Sequence, residues 1–277
     1  MREPAFSDSV VFESPLVRVG AFRCDRDYPG FHDTGPAIND CFVFPRTAVA
    51  IEHEHEPPFA ANPNVTTFYN RGQCYLRHEI SAQGDQCDWF GIDRELAREA
   101  VRTVNVAVED APFRWTRGRC DARTYFLQRR LFEGVVHGVI SDRLAIEEIV
   151  LLLLDRVIGN ATAAGQAAKR RALVHETECF LAARFDQQLS LAGIAAHAGA
   201  SVYHLCRTFR EETGLALHQY LNQLRIRHAL GIVRDSTAPL SRIAVDLGFA
   251  HHSHFTSAFR RGFGVTPSEL RPSARRC

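Results

Sequence analysis

The chain has 277 residues, and its 33 Lys and Arg against 32 Asp and Glu give a formal net charge of +1. That length suits one large or two ordinary domains, and a 45% hydrophobic composition with 10% aromatics suffices to bury a core in each, which argues against a disordered chain. The longest purely apolar run, residues 149–154, is far short of the ~20 residues a membrane-spanning helix needs. The opening Met-Arg-Glu-Pro-Ala has no apolar signal core, so the sequence reads as a soluble, unexported, cytoplasmic protein with no membrane partner. Eight cysteines without any Cys-x-x-Cys pair fit reduced thiols better than a disulfide framework or a structural zinc site.

In chain order, residues 1–92 carry short β-type runs at 10–12, 16–22, 41–44, 48–52, 66–69 and 74–80, separated by turn formers such as Tyr28-Pro29-Gly30, Asn62-Pro63-Asn64 and Asn70-Arg71-Gly72. This pattern predicts a small all-β barrel or sandwich. From residue 93 the period becomes helical. Leu96, Ala100, Val101 and Val104 share a face, and further helices are expected over 125–136 and, after Ser141 as a cap candidate, over 144–158. The stretch 145–158 is apolar around most of its circumference, so it calls for cover on more than one side, from the β domain and from a second subunit. Residues 93–160 are therefore expected to form a packing and dimerisation segment, with a homodimer joined through 123–158. Residues 161–170, small and weakly amphipathic, are expected to be the linker, and 171–277 the second domain.

The charge changes sign at that linker. Residues 1–168 carry 18 Arg against 24 Asp and Glu, whereas residues 169–277 carry 15 Lys and Arg against 8 Asp and Glu. A basic segment of this size is the electrostatic footprint of a surface that meets phosphates, although a domain can also be basic without such a partner.

Past residue 170 one pattern occurs twice. Leu191-x-x-Ile194-Ala195-x-x-Ala198-Gly199-x-Ser201 leads into Leu205, Phe209 and Gly214, and Leu240-x-x-Ile243-Ala244-x-x-Leu247-Gly248-Phe249 leads into Phe255, Phe259 and Gly264. Each copy is an apolar helix ending at a glycine, then a second helix that opens near Ser201 or Ser253. Leu205 with Phe209, and Phe255 with Phe259, stand four apart and pin one face of that second helix, leaving the other face free. The spacing predicts two helix-turn-helix units, over 190–214 and 240–264, the kind of unit whose second helix enters the DNA major groove. Residues 218–234 between them predict a helix of about 25 Å, a rod commensurate with the roughly 34 Å of one duplex turn once flanking packing is added. Thr266-Pro267-Ser268-Glu269 has the cap, proline and acid of a short closing helix.

These residues closely resemble the DNA-binding domain of the AraC/XylS family of bacterial transcription regulators, above all in Ile243-Ala244, Gly248-Phe249, Ser253-x-Phe255, Phe259-Arg260-Arg261, Phe263-Gly264, Thr266-Pro267 and Arg271. The N-terminal β segment is similar, more loosely, to the cupin-like sensor domains of that family. The resemblance implies an α+β two-domain protein: a cupin-like β-barrel or sandwich followed by helices, then an all-α double helix-turn-helix domain. It implies double-stranded DNA and RNA polymerase as partners, activation as the more frequent mode, a small-molecule effector, and no catalysis or cofactor. Family positions that meet base edges fall on Tyr203, Cys206 and Arg207 in the first unit and on His252, Ser253, Thr256 and Ser257 in the second. Arg207 is the strongest candidate, because a guanidinium can bind guanine bidentately; a phosphate contact or an ion pair with Glu211 is the alternative. Ser257 is short where relatives often carry a longer polar side chain, so the second helix is expected to specify bases less. Arg210, Arg242, Arg260 and Arg261 are phosphate candidates, or simply solvated charges. His251, His252 and His254 invite a metal reading, but their place at the opening of a reading helix argues for capping and DNA contact instead.

In the front half, Glu52-His53-Glu54-His55-Glu56 places His53 and His55 on one side of a strand, as cupin metal sites do, with Cys74, His78 and Cys87 as further ligand candidates. The second cupin metal motif is not recognisable, so solvated polar residues are the better explanation and no metal is expected. Phe44, Arg46, His53, His55, Tyr69, Arg71, Tyr75, Arg77 and Trp89 are the candidates for an effector site, within aromatics that could equally be packed core. Arg46, Arg71 and Arg77 suit an anionic ligand only if they point inward. A metal-containing cupin-type enzyme, or a redox or metal sensor carrying a DNA-binding tail, is the alternative class. A DNA-repair methyl acceptor would need close cysteine pairs, and a hydrolase a Gly-x-Ser-x-Gly elbow; neither is present.

Overall fold

The computed structural model describes residues 4–54, 56–102, 111–161 and 168–271. The chain divides into two compact units, Met1–Ala167 and Ala168–Cys277. It is an α+β protein: a β sandwich with following helices, then an all-helical unit.

The first unit contains strands β1 (Phe6–Glu13), β2 (Val17–Cys24), β3 (Asp40–Pro45), β4 (Val49–His53), β5 (Phe59–Ala61), β6 (Val65–Tyr69), β7 (Tyr75–Glu79), β8 (Asp85–Ile92) and β9 (Arg117–Arg119). They form a six-stranded sheet in the order β1-β2-β8-β3-β6-β9 and a three-stranded sheet in the order β5-β4-β7, all antiparallel. The two sheets pack as a sandwich and do not close into one barrel. Side-chain alternation assigns the faces. Cys41, Val43, Tyr69, Cys87 and Trp89 point inward, meeting Phe22 and Tyr75, while Cys24 and Val65 meet Val49, Ile51 and Phe59 of the smaller sheet. The alternate residues pack on the opposite face, Phe42 stacked on Phe90 and Phe44 edge-on to both.

β5, β8 and β9 lie outside the runs that sequence periodicity marks. β8 is central, paired with β2 and β3, yet it contains Asp85 and Asp88, residues depleted in strands. Both are buried and both meet guanidinium groups, Asp85 that of Arg77 and Asp88 that of Arg129. Pairing removes the cost that makes an acidic strand improbable.

Three helices follow: α1 (Arg94–Arg102), α2 (Ala122–Val136) and α3 (Arg143–Ala161). Val104 lies outside the described residues. α2 is capped by Asp121, which accepts from the amides of Arg123 and Thr124. At the start of α3 it is Asp142 and not Ser141 that closes the first turn, its Oδ1 accepting from the Ala145 amide at 2.9 Å. α3 buries Ile146, Val150, Leu153, Leu154, Val157 and Ile158, and its outward side mixes Glu148, Asp155 and Arg156 with exposed Leu144 and Leu152. Among the described residues no helix is long and apolar enough to cross a membrane. The seven described cysteines are unbonded.

The second unit consists of α4 (Ala168–Ala183), α5 (Leu191–His197), α6 (Val202–Thr213), α7 (Leu217–Asp235), α8 (Leu240–Asp246), α9 (His252–Phe263) and α10 (Pro267–Leu270). Residues 168–170, expected within the linker, are helical. They follow an alanine-rich stretch, and alanine is the strongest helix former. α7 is the hub, packed against α4, α6, α8, α9 and α10.

Candidate functional site

Each helix-turn-helix module is built by local signals. In the first, the Ser190 hydroxyl accepts from the Gly193 amide to open α5, Gly199 turns the chain at φ +60°, and the Ser201 hydroxyl accepts from the His204 amide at 3.2 Å to open α6. α6 ends at Gly214, φ +67°. In the second, α8 starts after Pro239, Gly248 turns at φ +77°, and α9 ends at Gly264, φ +80°. Gly248 also answers to packing, since a Cβ there would lie 2.5 Å from the Asp186 carbonyl. α9 differs from α6 at its start. His251 occupies the cap position without a side-chain cap bond, and Ser253 is already the second helical residue, so it does not do what Ser201 does.

Leu205, Phe209, Phe255 and Phe259 are wholly buried, which turns the remaining face of α6 and α9 outward. On α6 that face carries half-buried Cys206 and exposed His204, Arg207 and Arg210; the side chain of Tyr203 lies outside the described residues. On α9 it carries exposed His252, Ser253, Ser257, Arg260 and Arg261. Thr256 departs from expectation, because its Oγ1 is enclosed without a hydrogen-bond partner and is not offered to a ligand on that face. His204 is absent from the sequence-based candidates although it shares the exposed face; an unremarkable helical position gives no signal for it.

The arginines on this surface are lightly held. Arg207 Nε bonds Glu211 Oε1 at 2.8 Å, Arg170 reaches the same carboxylate at 3.3 Å, and Arg242 pairs with Asp246 one turn on. The Arg207 hydrogen bond holds the Glu211 carboxyl below its ordinary value. Exposed pairs of this kind are weak and solvent-screened, so a phosphate or a base edge can displace them. His254 packs edge-on to Phe249 with centroids 5.3 Å apart, and among the described residues no three His, Cys, Asp or Glu side chains group as metal ligands.

Between the modules, the 19 residues of α7 span about 28 Å at 1.5 Å each. Sequence periodicity did not single out Arg225, yet its buried guanidinium braces the unit. Its Nε donates to the Phe185 carbonyl at 2.6 Å and a terminal nitrogen to the Gln187 carbonyl at 2.7 Å, while its charge stands 5.5 Å over the Phe249 ring. One turn further, His228 stacks on Phe185 at 4.1 Å, and burial lowers its imidazole to about 4, so it is neutral at physiological pH. Arg271 ties the closing helix to the Val233 and Ala238 carbonyls.

The first unit contains a cavity of about 140 Å³ within its sandwich. Of the effector candidates, Tyr69, Tyr75 and Trp89 line it. Phe44 belongs to the opposite face of the sheet, Arg71 is exposed and Arg46 half-exposed. Arg77 points inward but sits in the wall, its Nε 2.8 Å from Asp85 and its guanidinium donating to Thr34 Oγ1, Tyr75 Oη and the Phe31 carbonyl. His53 ends β4, with Nδ1 3.0 Å from the Gln73 amide and its ring on Phe59; Glu54 already lies in a turn, and His55 lies outside the described residues. Burial pushes the thiols lining the cavity up, Cys41 to about 12 and Cys87 well above its ordinary value.

A family model described as a helix-turn-helix domain matches residues 194–273, from within α5 to beyond α10. The HTH-type transcriptional activator RhaS of Klebsiella pneumoniae (strain 342) is 29% identical over 131 residues, 47% of each chain. That of Escherichia fergusonii is 32% identical over 164 residues, 58% of each chain. The chain thus spans about half the length of the curated relatives it matches. A solved transcriptional regulator from Chromobacterium violaceum, described as an AraC-type DNA-binding domain-containing protein, is 27% identical over 40% of this chain and 100% of that one, with a TM-score of 0.36. The paired modules, the shared helix between them and the family match over both together make the carboxy-terminal unit a helix-turn-helix domain.

Proposed function

We propose that the protein is a sequence-specific, double-stranded-DNA-binding transcription regulator, cytoplasmic, and an activator as its RhaS relatives are named. The observation that carries this reading is the pair of second helices, α6 and α9, each backed by two buried apolar side chains and each presenting exposed arginine in a segment of net positive charge. Arg207 reads guanine in the major groove, assisted by Tyr203 and Cys206. His252, Ser253 and Ser257 make lighter base contacts, and Arg210, Arg242, Arg260 and Arg261 hold phosphates. The exposed Leu144 and Leu152 on α3, with Val136 on α2, support a homodimer formed through this helical segment. Effector bound in the β unit biases which half-sites the dimer engages, and RNA polymerase is the partner that activation requires. No catalytic step, metal or cofactor belongs to the proposal.

Electrophoretic shifts of the full chain on genomic fragments test it. Specific retention that survives competitor DNA is expected, with a log-log salt slope that becomes shallower by about 0.9 for each phosphate-binding arginine removed. Uniform affinity for every fragment, or a slope unchanged in Arg260→Ala and Arg261→Ala, would overturn it.

A further inference from the structure

The cavity of the β unit has mainly apolar walls. Aromatic faces of Phe22, Tyr69, Tyr75 and Trp89 line it, together with the carboxylates of Asp8 and Asp85. Asp85 is neutralised by buried Arg77, 2.8 Å away. Asp8, exposed on β1, has no such partner: its Oδ1 accepts from Trp89 Nε1 at 2.8 Å, among the described residues it forms no ion pair, and of the cations only the more distant Arg77 charge acts on it. The cavity region therefore holds one carboxylate more than it holds cations, beside an indole ring whose orientation that same carboxylate fixes. Gly20 makes room for this ring, since a Cβ there would fall 2.2 Å from Trp89 Cζ2.

The unit already holds a cation in this way. The Arg77 guanidinium stands 4.6 Å over the Phe22 ring and 4.9 Å over Tyr75, with Asp85 as its counter-charge. Trp89 and Asp8 offer the same pair of groups, a π face and a carboxylate, to something absent from the chain itself. Partial desolvation raises the carboxyl of Asp8 and full burial that of Asp85, a cost that a docked positive charge relieves. The volume, about 140 Å³, is that of a compact molecule, comparable to a cavity of about 150 Å³ that takes up benzene.

We propose that this cavity binds a small organic monocation, an ammonium group carried on a compact apolar or aromatic body, with Asp8 as counter-charge and Trp89 as the π face. The proposal rests on the reading of this unit as the effector-binding part of the regulator and gives that effector its chemistry. An anion is disfavoured, because the only inward guanidinium among the effector candidates is committed to Asp85.

Titration of the full chain with 2-phenylethylammonium, its neutral counterpart 2-phenylethanol and the anion phenylacetate, followed by calorimetry and tryptophan fluorescence, tests this. The ammonium is expected to bind about tenfold more tightly than the alcohol, and phenylacetate most weakly. Asp8→Asn keeps an acceptor for the indole N–H and is expected to bring the ammonium down to the affinity of the alcohol. The proposal is overturned if phenylacetate binds as tightly as the ammonium, if none of the three saturates by about 10 mM, or if Asp8→Asn leaves the preference intact. DNA binding by the same preparation without ligand is a separate readout, so failure of the cation site leaves the DNA-binding reading standing. Ammonium bound with its full preference but without effect on DNA occupancy keeps the site and removes the regulatory link.

Discussion

α6 and α9 carry the same buried skeleton under different surfaces. Leu205 and Phe209 in one, Phe255 and Phe259 in the other, are fully withdrawn from solvent at the same spacing, and Gly214 and Gly264 end the two helices in the same left-handed turn. The exposed faces diverge. α6 opens on a serine cap and presents Arg207; α9 opens on an uncapped histidine, presents the short Ser253 and Ser257, and gathers Arg260 and Arg261 in its last turn. Packing fixes what the two modules share, and only the outward positions are free to distinguish them. A reader of bases beside a holder of phosphates is the division these surfaces support.

The largest expected effect tests the shared skeleton. Phe209→Ala and Phe259→Ala each remove a wholly buried ring, and each is expected to cost ~3–5 kcal/mol in urea unfolding of the helical unit. A loss confined to one of the two would break the equivalence. Next is the division of labour on DNA. Arg207→Ala is expected to cost roughly 1–3 kcal/mol of discrimination at one base pair, whereas Ser257→Ala changes specificity by less than about 0.5 kcal/mol. Competition shifts against single-base variants of a bound site measure both. Equal losses would mean that α9 reads sequence as closely as α6.

The helix the modules share supplies a pH dependence. His228 is held near 4 in the fold by burial against an ordinary value of 6.5, so the native state refuses a proton that the unfolded chain accepts. Stability is complete above about 6.5, falls as pH drops from there toward 4, and levels off below, at a cost on the order of 1 kcal/mol per pH unit. Thermal unfolding of His228→Phe is expected to lose much of that slope. An unchanged slope would place the acid sensitivity elsewhere.

The modules were legible because their signals are local: apolar residues at helical spacing, a glycine at each turn, a proline and an acid at the closing helix. The β unit was legible only in part. β3 and β6 announce themselves through hydrophobic runs, but β8 does not, because its inward and outward positions include Asp85 and Asp88, whose partners Arg77 and Arg129 stand on other elements, β7 and α2. Pairing of buried charge between separate elements leaves no period to find. The same reason hid the cavity chemistry. Arg77 taken alone suggests an anion site, and only its pairing with Asp85 shows that the uncompensated charge nearby is negative. Arg225 escaped notice in the same way, since its partners are backbone carbonyls 38 and 40 residues away.

The smallest predicted effect separates the two helix starts. Ser201 accepts from the His204 amide, and Ser201→Ala is expected to cost about 1 kcal/mol of stability. Ser253, one residue inside α9 with no such bond, is expected to cost under about 0.5 kcal/mol when changed to alanine. Both serines are exposed, so neither loss contains a packing contribution, and the difference between them isolates the cap. If the uncapped start of α9 serves to leave amides open for a phosphate, Ser253→Ala should weaken DNA binding while leaving the unfolding midpoint in place. Ser201→Ala should then lower the midpoint and weaken binding only as far as α6 frays.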